Sequence, residues 1–173
     1  MSLIYRITFL ILGYFIVSGC SWYADTTLHS VYQQPPYEAS ESATALHKQL
    51  TLVDLHADPL MWDRDLLKRS TRGHIDVPRL QEGNVGLQVF GVVTGVPLPP
   101  KLEKNVDERD VLNLIAWSQQ WPKQTHSSRF QRALYQADKL NNFIQASDGK
   151  LKWITNQQDL QLLLAERAKG KPV

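Results

Sequence analysis

The sequence contains one cysteine, little excess charge and none of the common nucleotide-binding or nucleophile motifs. A single cysteine excludes a framework of internal disulfides. A net charge of +2 over 173 residues argues against nucleic acid or a strongly anionic partner. No GxGxxG, P-loop, CxxC or GxSxG pattern occurs, so a dinucleotide site, a phosphate loop, a redox dithiol and a serine nucleophile elbow are not expected. The apolar fraction of 43% is nevertheless that of a globular domain with a core.

The N-terminal residues have the pattern of a bacterial export signal. Arg6 precedes a mostly apolar run over residues 7–17, which is short for a membrane span and suits the apolar region of a signal peptide. Small residues then lead to Cys20, an arrangement that resembles the lipobox of bacterial lipoproteins, whose cysteine becomes the lipidated first residue. We therefore predict a signal peptide over residues 1–19 and lipidation at Cys20. The alternative is a plain secretory signal, or an anchor helix with an incidental cysteine.

The lipoprotein prediction also implies a location. Ser21, directly after Cys20, fits sorting to the outer membrane of Gram-negative bacteria, on the periplasmic side of the cell envelope. Acyl chains would anchor the protein to the membrane, each buried CH₂ contributing about 0.8 kcal/mol. Residues 20–42 are polar and contain two glutamines followed by two prolines, which is typical of a tether.

Residues 51–59 (Thr-Leu-Val-Asp-Leu-His-Ala-Asp-Pro) combine a strand pattern with metal-binding side chains. The short apolar start predicts a buried core strand, and Pro59 ends it because proline has no N–H for the ladder. His56 and Asp58 are two residues apart and therefore point to the same side of an extended backbone. An imidazole and a carboxylate placed in this way can bind one divalent cation such as zinc. A structural His–Asp pair is the alternative, since His-x-Asp alone is a common pattern.

A second His-x-Asp pair lies at His74 and Asp76. It could be a second metal pair, but the residues that follow favour a structural role. Asp76 precedes Val77 and Pro78, where a carboxylate can cap a helical turn and proline suits the first helical positions. Gly83 then suits the end of that turn.

The order of predicted elements indicates the fold class. In chain order we predict a helix at residues 41–50, strands at 51–55 and 85–94, helices beginning near 105 and 128, a strand at 151–154, a helix after 156 and the start of a strand at 171–173. Ser40 or Ser42 is the predicted N-cap of the first helix, and Asn156 that of the last. Since helices and strands alternate, the sequence predicts an α/β fold with a parallel sheet. Trp117 and Trp121 lie at helical spacing and are predicted to be packing residues. The helix beginning near 128 is predicted to have one apolar face, formed by Phe130, Leu134, Ala137, Leu140 and Ile144.

Two segments together resemble the beginning of the membrane (renal) dipeptidase family. They are residues 54–58 (Asp-Leu-His-Ala-Asp) and residues 74–90, which begin His-Ile-Asp-Val-Pro-Arg-Leu. The resemblance implies a TIM-barrel, amidohydrolase-like fold and a zinc-dependent hydrolase that cleaves dipeptides. It further implies two zinc ions with a bridging hydroxide that attacks the peptide carbonyl, where His56 and Asp58 bind one zinc. We expect Asp54 to support the end of the strand rather than to bind metal.

The resemblance also leads us to expect only part of that site in this chain. Family members are much longer, and their bridging glutamate and the two histidines of their second zinc have no counterpart here. Glu166 lies in a predicted helix rather than at a strand end, so we do not assign it the bridging role. We therefore expect residues 43–173 to form the incomplete N-terminal portion of a barrel. Such a portion would have an unpaired sheet edge, an uncovered apolar face and weak affinity for zinc.

Two other functions are compatible with the sequence. One is a catalytically inactive envelope lipoprotein in which His56 and Asp58 are structural. The other is a different metal-dependent hydrolase of the amidohydrolase-like class, such as a deaminase or a phosphoesterase. The segment at residues 74–90 favours a dipeptidase over both.

Overall fold

The computed structural model describes residues 5, 8, 23, 25–33, 35–97 and 110–169. Cys20, the helix start near residue 105 and the strand start at residues 171–173 lie outside the described residues.

The chain divides into two compact units. The first, which we call the sheet unit, comprises Val31–Val92 and Gln136–Val173. The second, which we call the helical unit, comprises Met1–Ser30 and Val93–Tyr135.

Five helices and two strands are assigned bounds in the described part of the chain. In order they are α1 Glu41–Gln49, β1 Leu52–Ala57, α2 Val77–Glu82, β2 Val85–Phe90, α3 Leu112–Ser118, α4 Arg129–Ala146 and α5 Gln157–Ala168, with short 3₁₀ turns at Pro59–Met61 and Lys123–Thr125. Among the described residues, no helix is both long enough and apolar enough to cross a membrane.

β1 and β2 pair in parallel and form the sheet of the sheet unit. Parallel strands need a crossover connection, and α2 lies within the connection between these two. The aligned residues are Leu52 with Val85, Val53 with Leu87, Asp54 with Gln88, and Ala57 with Phe90. The predicted mixture of helices with a parallel sheet is therefore confirmed.

Polar side chains begin three of the helices, as the sequence predicts. The side chain of Ser40 accepts a hydrogen bond from the backbone N–H of the third residue beyond it, and Asp76 and Asn156 do the same at α2 and α5. Each cap satisfies one of the N–H groups that a helix leaves without an internal partner. Gly83 is the C-terminal cap of α2, which confirms that prediction as well.

Residues 151–154 are not a strand, and the prediction of one is wrong. The backbone groups of Leu151 bond to a side chain instead of a ladder, since Ser147 Oγ accepts from Leu151 N (3.0 Å) and donates to Leu151 O (3.4 Å). The segment lines a groove of about 490 Å³ beside β2. A short run with several apolar residues becomes a strand only where a ladder partner is within reach.

β1 is not the buried strand that the apolar pattern predicts. Val53 is 48% exposed and Leu55 is 74% exposed. A parallel strand is buried when helices cover both faces of its sheet. In the described residues, one face of β1 lacks such a cover, so the apolar side chains on that face remain in contact with water.

A small apolar cluster forms the core of the sheet unit. Leu60 and Leu66, from the connection after β1, meet Leu140 of α4 and are almost fully buried. The partly buried side chains packed against this cluster are Phe90, Phe143 and Ile144. The chain segment directly after β1 is therefore anchored by packing on α4.

Asn84 joins three parts of the sheet unit at the start of β2. Its Nδ2 donates to His47 O (2.7 Å) and Leu50 O (2.9 Å), at the end of α1. Its Oδ1 accepts from Arg167 Nη2 of α5 (2.7 Å). Asn84 has a φ of 54°, a left-handed conformation that asparagine tolerates better than most residues.

In the helical unit, a buried arginine replaces the apolar face predicted for the first half of α4. Arg132 is 2% exposed, whereas the predicted core residues Phe130 and Leu134 are exposed. Its guanidinium donates to the backbone carbonyls of residues 94, 125 and 126 and to the carboxylate of Asp110. The buried side of the first half of α4 is consequently polar, and the prediction of an apolar face fails there.

The two tryptophans predicted to pack have different environments. Trp121 is 3% exposed, and its ring centroid lies 4.8 Å from that of Tyr135, which confirms the prediction for that residue. Trp117 is 55% exposed, so the prediction is wrong there.

Residues 25–28 lie inside the predicted tether and are helical. Asp25 is buried, and its Oδ1 lies 3.0 Å from Nδ1 of His29 one turn later. This part of the tether segment is helical rather than irregular.

Asp110 is the counter-charge of Arg132. Burial raises the pKa of its carboxyl, but hydrogen bonds from Arg132 and from the backbone N–H groups of Val96 and Leu112 outweigh burial and lower the pKa below its ordinary value. A carboxyl with a lowered pKa in the folded state stabilises the fold above its unfolded pKa, and this contribution is lost as the pH falls through the folded pKa.

We predict that Asp110→Asn lowers the free energy of unfolding by about 2 kcal/mol at pH 7, since it weakens charge-assisted hydrogen bonds to a buried guanidinium. The difference from the unsubstituted protein should shrink below about pH 4, where the carboxyl of the unfolded chain is already protonated. Urea unfolding at pH 7 and at pH 3 measures both effects. Asp138→Asn, on the exposed side of α4, is the matched control and should be neutral. Equal stability of both variants at pH 7 would contradict the prediction.

Candidate metal centre

His56 and Asp58 come together at the carboxyl end of β1. His56 is the penultimate residue of the strand, and Asp58 follows its last residue. His56 Nε2 lies 3.1 Å from Asp58 Oδ2, with side-chain exposures of 70% and 37%. The structure therefore confirms that the two side chains lie on the same side of the strand end. Both are open to solvent.

The backbone leaves the carboxylate of Asp58 available. Asp58 immediately precedes the 3₁₀ turn Pro59–Met61, yet its side chain makes no capping hydrogen bond to that turn. One of its oxygens, Oδ1, is buried and has no hydrogen-bond partner. Buried acceptors of this kind are rare in folded proteins, because their lost hydration is otherwise uncompensated.

Asp54 supports the strand end, as expected from the sequence. Its Oδ1 accepts a hydrogen bond from the backbone N–H of His56 (3.0 Å). The bond fixes the main chain at His56 and leaves the imidazole to its contact with Asp58.

Gly91 lies directly beside the His56–Asp58 pair, which the sequence did not reveal. It was predicted to lie inside a strand reaching residue 94, but β2 ends at Phe90, and Gly91 N donates to Ala57 O (2.7 Å). A Cβ at residue 91 would lie 2.1 Å from Asp58 Oδ1 and 2.9 Å from His56 Cε1. The absence of a side chain therefore makes room for the pair, and the only sequence signal is a glycine after an apolar strand.

The second His-x-Asp pair is structural, as predicted. Asp76 is 1% exposed, and both of its oxygens are engaged. Oδ1 accepts from Arg79 N (2.9 Å), and Oδ2 accepts from Arg79 Nε (2.7 Å) and Ser70 N (2.9 Å). Three hydrogen bonds and nearly complete burial of this carboxylate favour the structural role. Glu166, on α5, forms an ion pair with Lys152 (3.1 Å).

The donor set of the first pair fits part of a zinc site. Two ligand atoms bound to one tetrahedral zinc at about 2.0–2.1 Å lie about 3.3 Å apart, close to the 3.1 Å between His56 Nε2 and Asp58 Oδ2. The unpartnered Oδ1 adds an acceptor beside them. The stretches of chain that the structure describes contain no group of three or more His, Cys, Asp or Glu able to hold a metal. The pair therefore fits two ligands of a centre that needs more.

Comparison with known families identifies the chain. The family model of membrane dipeptidases (peptidase family M19) matches residues 40–170, which is most of the chain. The chain therefore belongs to the membrane dipeptidase family, a family of peptide hydrolases, and the resemblance of residues 54–58 and 74–90 is confirmed. Neither the comparison with curated proteins nor the comparison with solved structures finds a match.

We predict that Gly91→Ala weakens zinc or cobalt binding at least tenfold, because a methyl group would displace the Asp58 carboxylate and overpacking of this kind costs about 1–3 kcal/mol. Competition with a chromophoric chelator measures the affinity. Gly95→Ala is the matched control, since its added Cβ would meet nothing closer than 3.5 Å. Equal affinities for Gly91→Ala and Gly95→Ala, with both variants folded by circular dichroism, would contradict the prediction.

Proposed function

We propose that this chain supplies the His56–Asp58 part of a zinc centre that hydrolyses dipeptides, within a TIM-barrel, amidohydrolase-like fold. The observation that carries the proposal is the pairing of His56 Nε2 with Asp58 Oδ2 at a parallel strand end, inside the segment that matches the dipeptidase family. The carboxyl ends of parallel strands are where barrel enzymes place their active sites. A bound zinc would activate water and polarise the peptide carbonyl.

The residues of the chain have separate tasks in this proposal. His56 offers Nε2, which requires the ring proton to sit on Nδ1. Asp58 supplies negative charge and two acceptor oxygens, one of them buried. Asp54 fixes the main chain of His56, and Gly91 keeps the space beside both ligands clear. The 70% exposure of the His56 side chain leaves the centre accessible to a small substrate such as a dipeptide.

A second function is favoured by the number of ligands. Hydrolytic zinc sites use three protein ligands and an open position, whereas the described residues bring two candidates together. Such a pair, with water completing the coordination, would bind zinc weakly, as in a lipid-anchored envelope protein that holds zinc without hydrolysing peptides. The two functions share the His56–Asp58 centre and differ in turnover of dipeptides.

We predict that His56→Ala and Asp58→Asn each weaken zinc binding at least tenfold, because each removes one of two protein ligands. His74→Ala is the matched control, since His74 belongs to the structural His-x-Asp pair and is exposed. Zinc affinity is measured by chelator competition, and hydrolysis by release of amino acids from simple dipeptides at saturating zinc.

Three results separate the functions. Zinc-dependent hydrolysis that is lost in His56→Ala and kept in His74→Ala supports the dipeptidase. Zinc binding with the same pattern but without hydrolysis supports the binding protein. Zinc affinity that is unchanged in both His56→Ala and Asp58→Asn would overturn both proposals, because the pair would then be structural.

We also propose that Cys20 is lipidated and anchors the protein to the bacterial cell envelope, on the periplasmic side of the outer membrane. The support is the sequence pattern of residues 1–20, which lies outside the described residues apart from residues 5 and 8. Acyl chains on one cysteine are sufficient to hold a protein at a membrane when more than one chain is attached.

We predict that Cys20→Ala abolishes incorporation of labelled fatty acid and moves the protein out of the detergent-soluble membrane fraction. Ser18→Ala keeps a small residue before the cysteine and should be lipidated like the unsubstituted protein. Metabolic labelling in a Gram-negative host, followed by membrane fractionation, measures both properties. Fatty-acid labelling that persists in Cys20→Ala would contradict the proposal.

A further inference from the structure

The turn that follows Asp58 is held by a lysine from α4. Lys139 Nζ donates to the backbone carbonyl of Leu60 (3.3 Å) and to that of Trp62. These carbonyls belong to the 3₁₀ turn Pro59–Met61 and to its C-terminal cap. Carbonyls at the end of a helical turn lack partners within the turn, and a cation is a favourable donor to them.

Lys139 occupies an unusual position for a charged side chain. Burial lowers the pKa of its ammonium, which the negative charge of Asp63 opposes and the positive charge of Arg64 reinforces. A half-buried ammonium is retained where it satisfies polar groups that would otherwise be left unpaired. Here the acceptors are two main-chain carbonyls just after Asp58, that of Leu60 and that of Trp62, of which the second also accepts from Arg64 N (2.9 Å).

The next residue of α4 holds the same turn by packing. Leu140 contacts Leu60 in the core cluster, and Leu60 is completely buried. Two consecutive residues of α4 therefore hold the turn. Lys139 donates hydrogen bonds to its carbonyls, and Leu140 packs against the side chain of Leu60.

Asp58 depends on this turn for its orientation. It is the residue that precedes the turn, with φ −112° and ψ 43°, and its side chain makes no capping bond to the turn. The main chain on either side therefore sets the direction in which the side chain leaves the backbone, and the contact with His56 Nε2 (3.1 Å) completes the orientation of the carboxylate. β1 fixes the preceding side, and Lys139 and Leu140 fix the following side.

We infer that Lys139 is a positioning residue of the metal centre, which orients the Asp58 carboxylate by holding the carbonyls of the turn behind it. The inference rests on the proposed function, because it assigns Lys139 a role toward the metal that His56 and Asp58 would bind. Lys139 itself does not touch the metal or the substrate. Its effect is transmitted through the main chain of residues 59–62.

Substitution of Lys139 separates positioning from plain stability. Lys139→Met keeps the apolar stem and removes the donor, whereas Lys139→Arg keeps a cation with several donors. Leu163→Ala is the matched control, since Leu163 is a buried residue of the same unit on α5 and should lower stability without touching the turn. All measurements are made well below the unfolding temperature of each variant, with the folded state verified by circular dichroism.

Two readouts are used on the 173-residue protein. Zinc affinity by chelator competition should fall about tenfold in Lys139→Met, recover to within about threefold in Lys139→Arg and remain unchanged in Leu163→Ala. Without metal, the Cε1–Hε1 NMR cross-peak of His56, whose ring contacts Asp58, should shift in Lys139→Met and return in Lys139→Arg.

The outcomes distinguish this inference from the proposed function. If the unsubstituted protein binds zinc and Lys139→Met binds it equally well with an unmoved His56 cross-peak, Lys139 is structural only and the inference fails. If the unsubstituted protein does not bind zinc, the proposed function fails. In that case the His56 cross-peak of the metal-free protein still tests whether Lys139 orients the His56–Asp58 pair. An unmoved peak in Lys139→Met would then overturn the positioning role of Lys139 too.

Discussion

The hydrogen bond from Gly91 N to Ala57 O, at the end of the parallel pairing, is the constraint on which the candidate centre depends. It places the residue after β2 beside the residue that separates His56 from Asp58. A side chain at that position would overlap the Asp58 carboxylate, so the pair can exist only opposite a glycine. At the other end of β2, Asn84 ties the strand start to α1 and α5. Register decides which side chains share one face of a sheet, and here it is held at both ends.

His56 and Asp58 are positioned by different means, although they touch. His56 is within β1, where the ladder and the bond to Asp54 fix its main chain. Asp58 lies between the strand and a turn whose first residue is proline, so no ladder bond continues past it. Its orientation comes from the core, where Leu60 is buried against α4. The proposed metal centre would therefore join a ligand held by backbone pairing to a ligand held by tertiary packing.

Local chemistry was predictable from the sequence, whereas contacts between distant residues were not. The caps at Ser40, Asp76 and Asn156 and the shared side of His56 and Asp58 follow from spacing over a few residues, and the structure contains them. The strand predicted at residues 151–154 failed because strand formation requires a partner that a local pattern does not specify. The apolar face predicted for α4 failed because Arg132 finds its carboxylate and carbonyl partners elsewhere in the chain. Gly91 was missed for the same reason, because the group that a side chain there would overlap is Asp58, at the end of the neighbouring strand.

The charges of the pair indicate what else the centre would accept. A neutral imidazole and one carboxylate supply a single negative charge, so a divalent cation held by His56 and Asp58 would keep net positive charge. Such a centre favours additional anionic ligands, because opposite charges attract most strongly where water is partly excluded. The buried Oδ1 of Asp58 lies on the side from which water is excluded, and the exposed imidazole of His56 faces solvent. A further carboxylate from protein, or the terminal carboxylate of a small peptide, would therefore approach from the side of His56. The same half-centre thus suits both proposed functions, which differ in the ligands that complete it rather than in the residues that begin it.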